Sequence, residues 1–261
     1  MLTQQQYLAA MGIQVWLPHI PHPRPLPIAD AMERGEEQSA VAKEQLWRDK
    51  QEVAELTWEQ LQNQITNCTL CDLHKTRTNT VFGVGNHSAD LLIIGEAPGA
   101  TEDAKGEPFV GRAGMLLDSM LAAIGLHRSD IFIANILKCR PPNNRDPSPR
   151  EVELCTPYLQ QQINFIKPKL IVAVGRIAAH FLLNTNEALG KMRGRMFKYG
   201  EHKVPLMVTY HPAYLLRSPR EKSKVYEDMV RVKSIVTPPP TPPQRVGEGR
   251  KNVKSIVIKT S

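Results

Sequence analysis

Residues 89–99, Ala89-Asp90-Leu91-Leu92-Ile93-Ile94-Gly95-Glu96-Ala97-Pro98-Gly99, decide the fold of this chain. Four consecutive large apolar residues run straight into a turn rich in glycine and proline. Such a run is too short for a buried helix and lacks the alternation of a half-exposed strand, so it reads as a strand covered on both faces. Three more runs share the pattern: IFIANIL (131–137), KLIVAVG (169–175) and VPLMVTYH (204–211). The intervening segments RAGMLLDSMLAAIG (112–125), SPREVELCTPYLQQQINFI (148–166) and RIAAHFLL (176–183) carry helical periodicity. Strand alternating with helix predicts an α/β fold, a three-layer α/β/α arrangement around a central, mostly parallel four-stranded sheet. Ligands bind such sheets outside the carboxyl ends of the strands. Those places hold Gly95 to Gly99, Asn135, Gly175-Arg176 and His211-Pro212.

The 261 residues, 41% hydrophobic and 23% charged, suit one main domain with appendages. No run of about 18 apolar residues occurs, and the amino terminus lacks the basic start and apolar stretch of a secretory signal, so no membrane segment and a cytoplasmic, nucleoid-associated protein are expected. Residues 1–59 read as an extension in which HIPHPRPLP (19–27) forms an extended linker. Residues 60–236 read as the folded domain, and residues 237–261, beginning TPPPTPPQRVGEGRKNV, as a basic disordered tail. Net charge is −4 over residues 1–60, +7 over 61–236 and +4 over 237–261. The basic excess therefore lies in the domain and tail, as a polyanionic partner such as DNA or RNA requires.

Four cysteines stand in the chain: Cys68 and Cys71 in CTLC, then Cys139 and Cys155. A C-x2-C followed by two more cysteines with no thiol left over meets the needs of four-thiolate coordination, by zinc or by a [4Fe-4S] cluster. Buried thiols and disulfides are the alternatives, the latter disfavoured in a reducing compartment. Neither GxGxxG nor GxxxxGK[ST] occurs, which disfavours a nucleotide triphosphate or dinucleotide site.

The order GEAPG (95–99), GEPFVGRAG (106–114), NILKCRPPNNRDP (135–147) and HPAYLLR (211–217), interleaved with all four cysteines, resembles the family 4 uracil-DNA glycosylases. The resemblance covers roughly residues 60 to 236. It implies a small α/β enzyme carrying a [4Fe-4S] cluster on Cys68, Cys71, Cys139 and Cys155. It further implies uracil-containing DNA as the substrate, acted on by a monofunctional glycosylase that flips uracil out and hydrolyses its N-glycosidic bond, leaving an abasic site for base-excision repair.

The resemblance also assigns roles. Phe109 matches the residue that stacks on uracil, and Asn135 the amide that reads its edge, an Asn being able both to donate to a carbonyl and to accept from an imide N–H. His211 matches the histidine that donates to uracil O2 as charge develops on the departing base. Gly95, Ala97 and Gly99 supply backbone at the pocket, Glu96 matches the acidic position that orients water or holds the loop, and Asn144 a position that assists. Leu215 and Leu216 are candidates for an apolar wedge that fills the gap left by the flipped base. Arg217, Arg140 and Arg145, with Lys138, Arg150 and Arg220, are candidates for phosphate contacts. The cluster is expected to be structural, bracing the loop after Asn135.

Residues 8–16, with Met11, Ile13 and Trp16, weakly resemble the amino-terminal peptide of the psi subunit of the bacterial DNA polymerase III clamp loader, which docks on the chi subunit. A replication partner is expected on that basis, for an otherwise monomeric protein. Two other readings stand beside uracil excision: a glycosylase for other deaminated bases, and a non-catalytic iron-sulfur DNA-binding module. A covalent-trapping relative is disfavoured because no KRRIH-type insertion follows GEPFVG.

Overall fold

A computed structural model describes residues 53–237. The expected extension up to residue 52, including the peptide at residues 8–16, and the tail beyond residue 237 lie outside the described residues. Among the described residues, six strands form one sheet: β1 (Val84–Gly85), β2 (Leu91–Gly95), β3 (Phe132–Asn135), β4 (Leu170–Val174), β5 (Met196–Tyr199) and β6 (Val204–Thr209), in the order β1-β3-β2-β4-β6-β5. The four runs read from the sequence are the central parallel strands β3, β2, β4 and β6. The expected count of four is thus corrected to six by two antiparallel edges, β1 on β3 and β5 on β6. Neither edge has a buried apolar run: β1 is two residues long and includes a glycine, and β5 alternates exposed and half-buried positions.

Strand side chains alternate between two cores, as the pleat dictates. Leu92, Ile94, Phe132, Ala134, Ile171, Ala173, Leu206 and Val208 face one side. There α4 (Pro149–Ile166) contributes Val152, Leu159 and Ile163, and α5 (Arg176–Leu183) contributes Ala178 and Ala179. Leu91, Ile93, Ile133, Leu170, Val172 and Met207 face the other. There α3 (Arg112–Ala122) supplies Leu117 and Leu121, α7 (Pro212–Arg217) Leu215, and α8 (Lys222–Val236) Val225, Met229 and Val232. Each of the larger side chains contributes about 1.5–3 kcal/mol by leaving water. The three-layer α/β/α expectation holds.

The remaining helices close the ends: α1 (Trp58–Thr66), α2 (Ala100–Lys105) and α6 (Leu189–Met192). Helix α1 begins at a Thr57/Gln60 capping box and crosses the domain boundary expected at residue 60. Its Leu61 and Ile65 pack with Val53 against Tyr158 of α4. Helix α4 starts at a second capping box, Ser148 with Glu151, and carries Pro149 in its first turn, where the missing N–H costs nothing.

Candidate active site

Four strand ends meet at one cavity of about 570 Å³, within the roughly 300–1,000 Å³ of small-molecule sites. Its walls include Glu96, Ala97, Pro98 and Gly99 after β2, Asn135 at the end of β3, Gly175 and Arg176 after β4, and His211 after β6. Phe109, Asn144, Arg145, Asp146 and Arg217 complete it from loops and α7. The strand register accounts for the convergence, because Gly95 lies beside Asn135 on neighbouring parallel strands.

Two glycines are required by what they touch. A Cβ on Gly95 would collide with Asn135 Oδ1 and approach the Phe109 ring to 2.8 Å. Gly175 has φ +96°, and a Cβ there would meet His211 Cβ at 3.0 Å. Phe109 itself is buried and holds a left-handed φ of 53°, a conformation an aromatic residue adopts only when its surroundings impose it. Glu102 of α2 imposes it from one side, its Oε1 accepting from the N–H groups of Val110 at 3.0 Å and Gly111 at 2.9 Å. Arg128 does so from the other, donating to the carbonyls of Pro108 and Phe109 while its Nε donates to Asp118 at 2.6 Å. The Phe109 ring then lies 5.5 Å from the His211 ring at an interplanar angle of 30°.

Asn135 is 2% exposed, and its Oδ1 is buried with no hydrogen-bond partner among the described residues. A buried, orphaned acceptor in a cavity wall costs about 1–3 kcal/mol, which a ligand donor recovers. His211 caps α7, with its Nδ1 accepting from Ala213 N–H at 3.1 Å. A neutral ring that accepts at Nδ1 carries its proton on Nε2. Burial, assisted by Arg217, lowers the His211 pKa to about 4, so the ring is neutral at physiological pH. Burial, with Asp146 nearby, pushes Glu96 up to about 7, and Arg176 opposes them. Arg176 and Asp146 pair at 3.1 Å on the rim. Asn144 has φ 54° and accepts from Arg140 Nε at 2.8 Å.

The DNA-facing candidates divide. Leu216 is 38% exposed, whereas Leu215 is 1% exposed among Leu117, Val225 and Met229, so burial removes Leu215 as a wedge. Arg145 is held by both carboxylate oxygens of Glu151, at 2.6 and 2.9 Å, and this pairing lowers the Glu151 pKa to about 2. Lys138, expected to contact phosphate, is 1% exposed and is likewise corrected. Burial lowers its pKa to about 8 against the influence of Cys155 and Cys139. Glu102 and Arg128 escaped sequence reading, since a carboxylate on a short helix and an arginine before a strand look like surface. Glu102's place one helical turn after GEAPG was the available signal.

All four cysteines line a second, apolar cavity with Ile65, Leu70, Leu73, Leu137, Leu154 and Tyr158. Cys139 Sγ accepts from Arg77 at 3.0 Å, Cys155 Sγ from the Lys138 N–H at 3.3 Å, and Cys68 Sγ from Tyr158 Oη at 3.6 Å. Burial raises the Cys155 thiol to about 12, with Lys138 opposing. Among the described residues, no three His, Cys, Asp or Glu side chains are grouped as ligands of one metal ion. No described helix is long and apolar enough to cross a membrane.

Comparison with known proteins agrees with this geometry. The sequence model of the uracil DNA glycosylase superfamily matches residues 82–231. A Type-4 uracil-DNA glycosylase from Archaeoglobus fulgidus is 48% identical over 176 residues, 65% of this chain and 88% of that protein. One from Thermotoga maritima is 42% identical over 177 residues, 66% of this chain and 91% of that protein. A Type-5 uracil-DNA glycosylase from Pyrobaculum aerophilum is 30% identical over 150 residues, half of this chain and 64% of that protein. The match spans the strand ends that build the cavity, Cys139 and Cys155, and the chain belongs to the uracil DNA glycosylase superfamily.

Proposed function

We propose that this protein is a monofunctional uracil-DNA glycosylase acting in base-excision repair, with its base pocket at the ends of β2, β3, β4 and β6. The observation that carries the reading is the orphaned Oδ1 of Asn135 in the wall of a cavity beside an aromatic ring and a neutral histidine. The imide N–H of uracil supplies the missing donor, and the Asn135 amide donates in turn to the neighbouring carbonyl. Cytosine has no N–H at that ring position, so it leaves Oδ1 unsatisfied; such penalties are the basis of strong discrimination.

Phe109 covers the base face. His211 donates its Nε2 proton as a hydrogen bond to uracil O2 while the glycosidic bond breaks and negative charge spreads onto the base. The leaving group is then an anion stabilised by a preorganised donor, and the ring, with a pKa of about 4, is neutral and carries no second proton to transfer to it. Glu96 holds the attacking water. Its carboxyl, with a pKa of about 7, is poised to take up the proton that water loses on bonding to the sugar carbon. No lysine among the described residues lines the cavity to attack the sugar, which supports hydrolysis without strand scission.

The four cysteines suit a [4Fe-4S] cluster: four thiols around one apolar cavity, with N–H donors directed at two sulfurs, are the setting such clusters use. When bound, the cluster would supply four iron–thiolate links between the CTLC segment, Cys139 and α4. This chain's residues perform the excision. The exposed Leu216 and Arg217 on α7 suit contact with the duplex beside the pocket.

Purified protein incubated with a labelled uracil-containing oligonucleotide, then treated with alkali, tests the reading. Cleavage at the uracil position is expected. Intact single-stranded and duplex substrates would overturn it.

A further inference from the structure

Lys138 is the one basic residue of the NILKCR segment that never reaches solvent. Its side chain folds back over its own turn, and Nζ donates to the backbone carbonyl of Asn135 at 2.9 Å and to Gln162 Oε1 at 2.6 Å. Gln162, fully buried on α4, donates through Nε2 to the Phe82 carbonyl at 2.9 Å. The backbone of the same residue is committed as well. Its N–H faces Cys155 Sγ, and its carbonyl accepts from Val81 N–H at 2.8 Å. Burying an ammonium is costly unless its donors are satisfied, so a lysine in the core is retained for what it holds.

What it holds is the exit of β3. Beyond Asn135 the chain leaves the strand, and Ile136 and Leu137 stay attached to the opposite loop by donating to the carbonyls of Gly95 and Glu96, both at 3.0 Å. The direction of the Asn135 side chain in the cavity follows from the plane of the peptide after it, whose oxygen is the one Lys138 grips. A shift of about 1 Å in a site group costs up to 100-fold in rate, and no other described side chain bonds to this carbonyl.

We propose that Lys138 is a positioning residue: its buried ammonium clamps the Asn135 carbonyl to Gln162 of α4 and so fixes the amide that reads the base. The proposal rests on the reading of the cavity as a uracil pocket, and it extends that site to a residue that touches no substrate. Lys138 thereby joins the wall of the cysteine cavity to the base pocket through hydrogen bonds alone.

The test uses the full chain. Lys138→Met, which keeps the aliphatic stem and removes the donors, is expected to lower single-turnover uracil excision roughly 10-fold or more. Affinity for abasic product DNA should stay within about 2-fold, because the phosphate contacts are elsewhere. In an Asn135→Ala background the same substitution is expected to cost no more than about 2-fold, since coupled residues are not additive. Gln162→Met, which removes one acceptor and leaves the lysine, serves if Lys138→Met does not fold. It should lose roughly 3-fold with the same non-additivity. Hydrogen exchange reads the clamp without substrate: the Ile136 and Leu137 amides should exchange at least about 5-fold faster in the variant that folds, with β4 amides unchanged. Full additivity with Asn135→Ala, or unchanged exchange at Ile136 and Leu137, overturns the proposal. If wild-type protein excises no uracil while exchange responds as expected, the pocket assignment fails and the clamp stands.

Discussion

The pocket at the strand ends and the cysteine cavity share one stretch of chain and are built on opposite principles. The base pocket, at the strand ends, is lined by polar groups left incompletely satisfied: an acceptor without a donor on Asn135, a carboxyl raised to about 7 at Glu96, and a neutral imidazole at His211. The cysteine cavity, between α1 and α4, is lined by leucine, isoleucine and tyrosine, and its sulfurs already receive donors from Arg77 and Lys138. Residues 135–139 run from one to the other. The pocket stores unmet hydrogen-bonding capacity for a ligand, whereas the cysteine cavity, as we propose, holds together the segments that place the pocket.

Substitutions should therefore separate chemistry from stability. Asn135→Ala and His211→Ala are expected to lower excision roughly 10²- to 10³-fold while the thermal midpoint stays near that of wild type. Matched midpoints with matched rates would break the comparison. Leu215→Ala should do the reverse, costing about 2–5 kcal/mol of stability as a core truncation, measured by denaturant unfolding, with the rate of the folded fraction retained. Leu216→Ala beside it should leave stability within about 0.5 kcal/mol and weaken binding to uracil-containing duplex. Equal stability losses at the two leucines would undo the division of α7 into a buried and an exposed side.

A pH profile sharpens the pocket side. Glu96 must be ionised to accept a proton, so excision should rise with pH through about 7 and level off above it. Glu96→Gln should remove that rise and leave a low, flat rate. His211, with its pKa near 4, adds no limb between pH 5 and 8. The smallest effect is expected at Arg217, where Ala should reduce the slope of log affinity against log salt by about one while leaving base choice unchanged.

Much of this was legible in the sequence because the central strands are buried on both faces, which forces unbroken runs such as LLIIG and LIVAV, each followed directly by a residue that lines the pocket, Glu96 and Gly175. Edge strands carry no such constraint. Val84–Gly85 and Met196–Tyr199 have half-exposed side chains, and their pairing depends on neighbours far along the chain. The same limit hid Lys138 and Leu215. A lysine in a basic run and the first of two leucines look like surface until Gln162 and Leu117 are brought against them by the fold. Glu102 and Arg128 went unseen because their task, holding Phe109 at a positive φ, exists only in three dimensions.

A crystal structure of the protein with free uracil addresses the central claim directly. Uracil should lie against Phe109 with its imide N–H about 3 Å from Asn135 Oδ1 and its O2 facing His211 Nε2. Uracil bound elsewhere, or in this cavity with Asn135 Oδ1 still lacking a donor, would contradict the account.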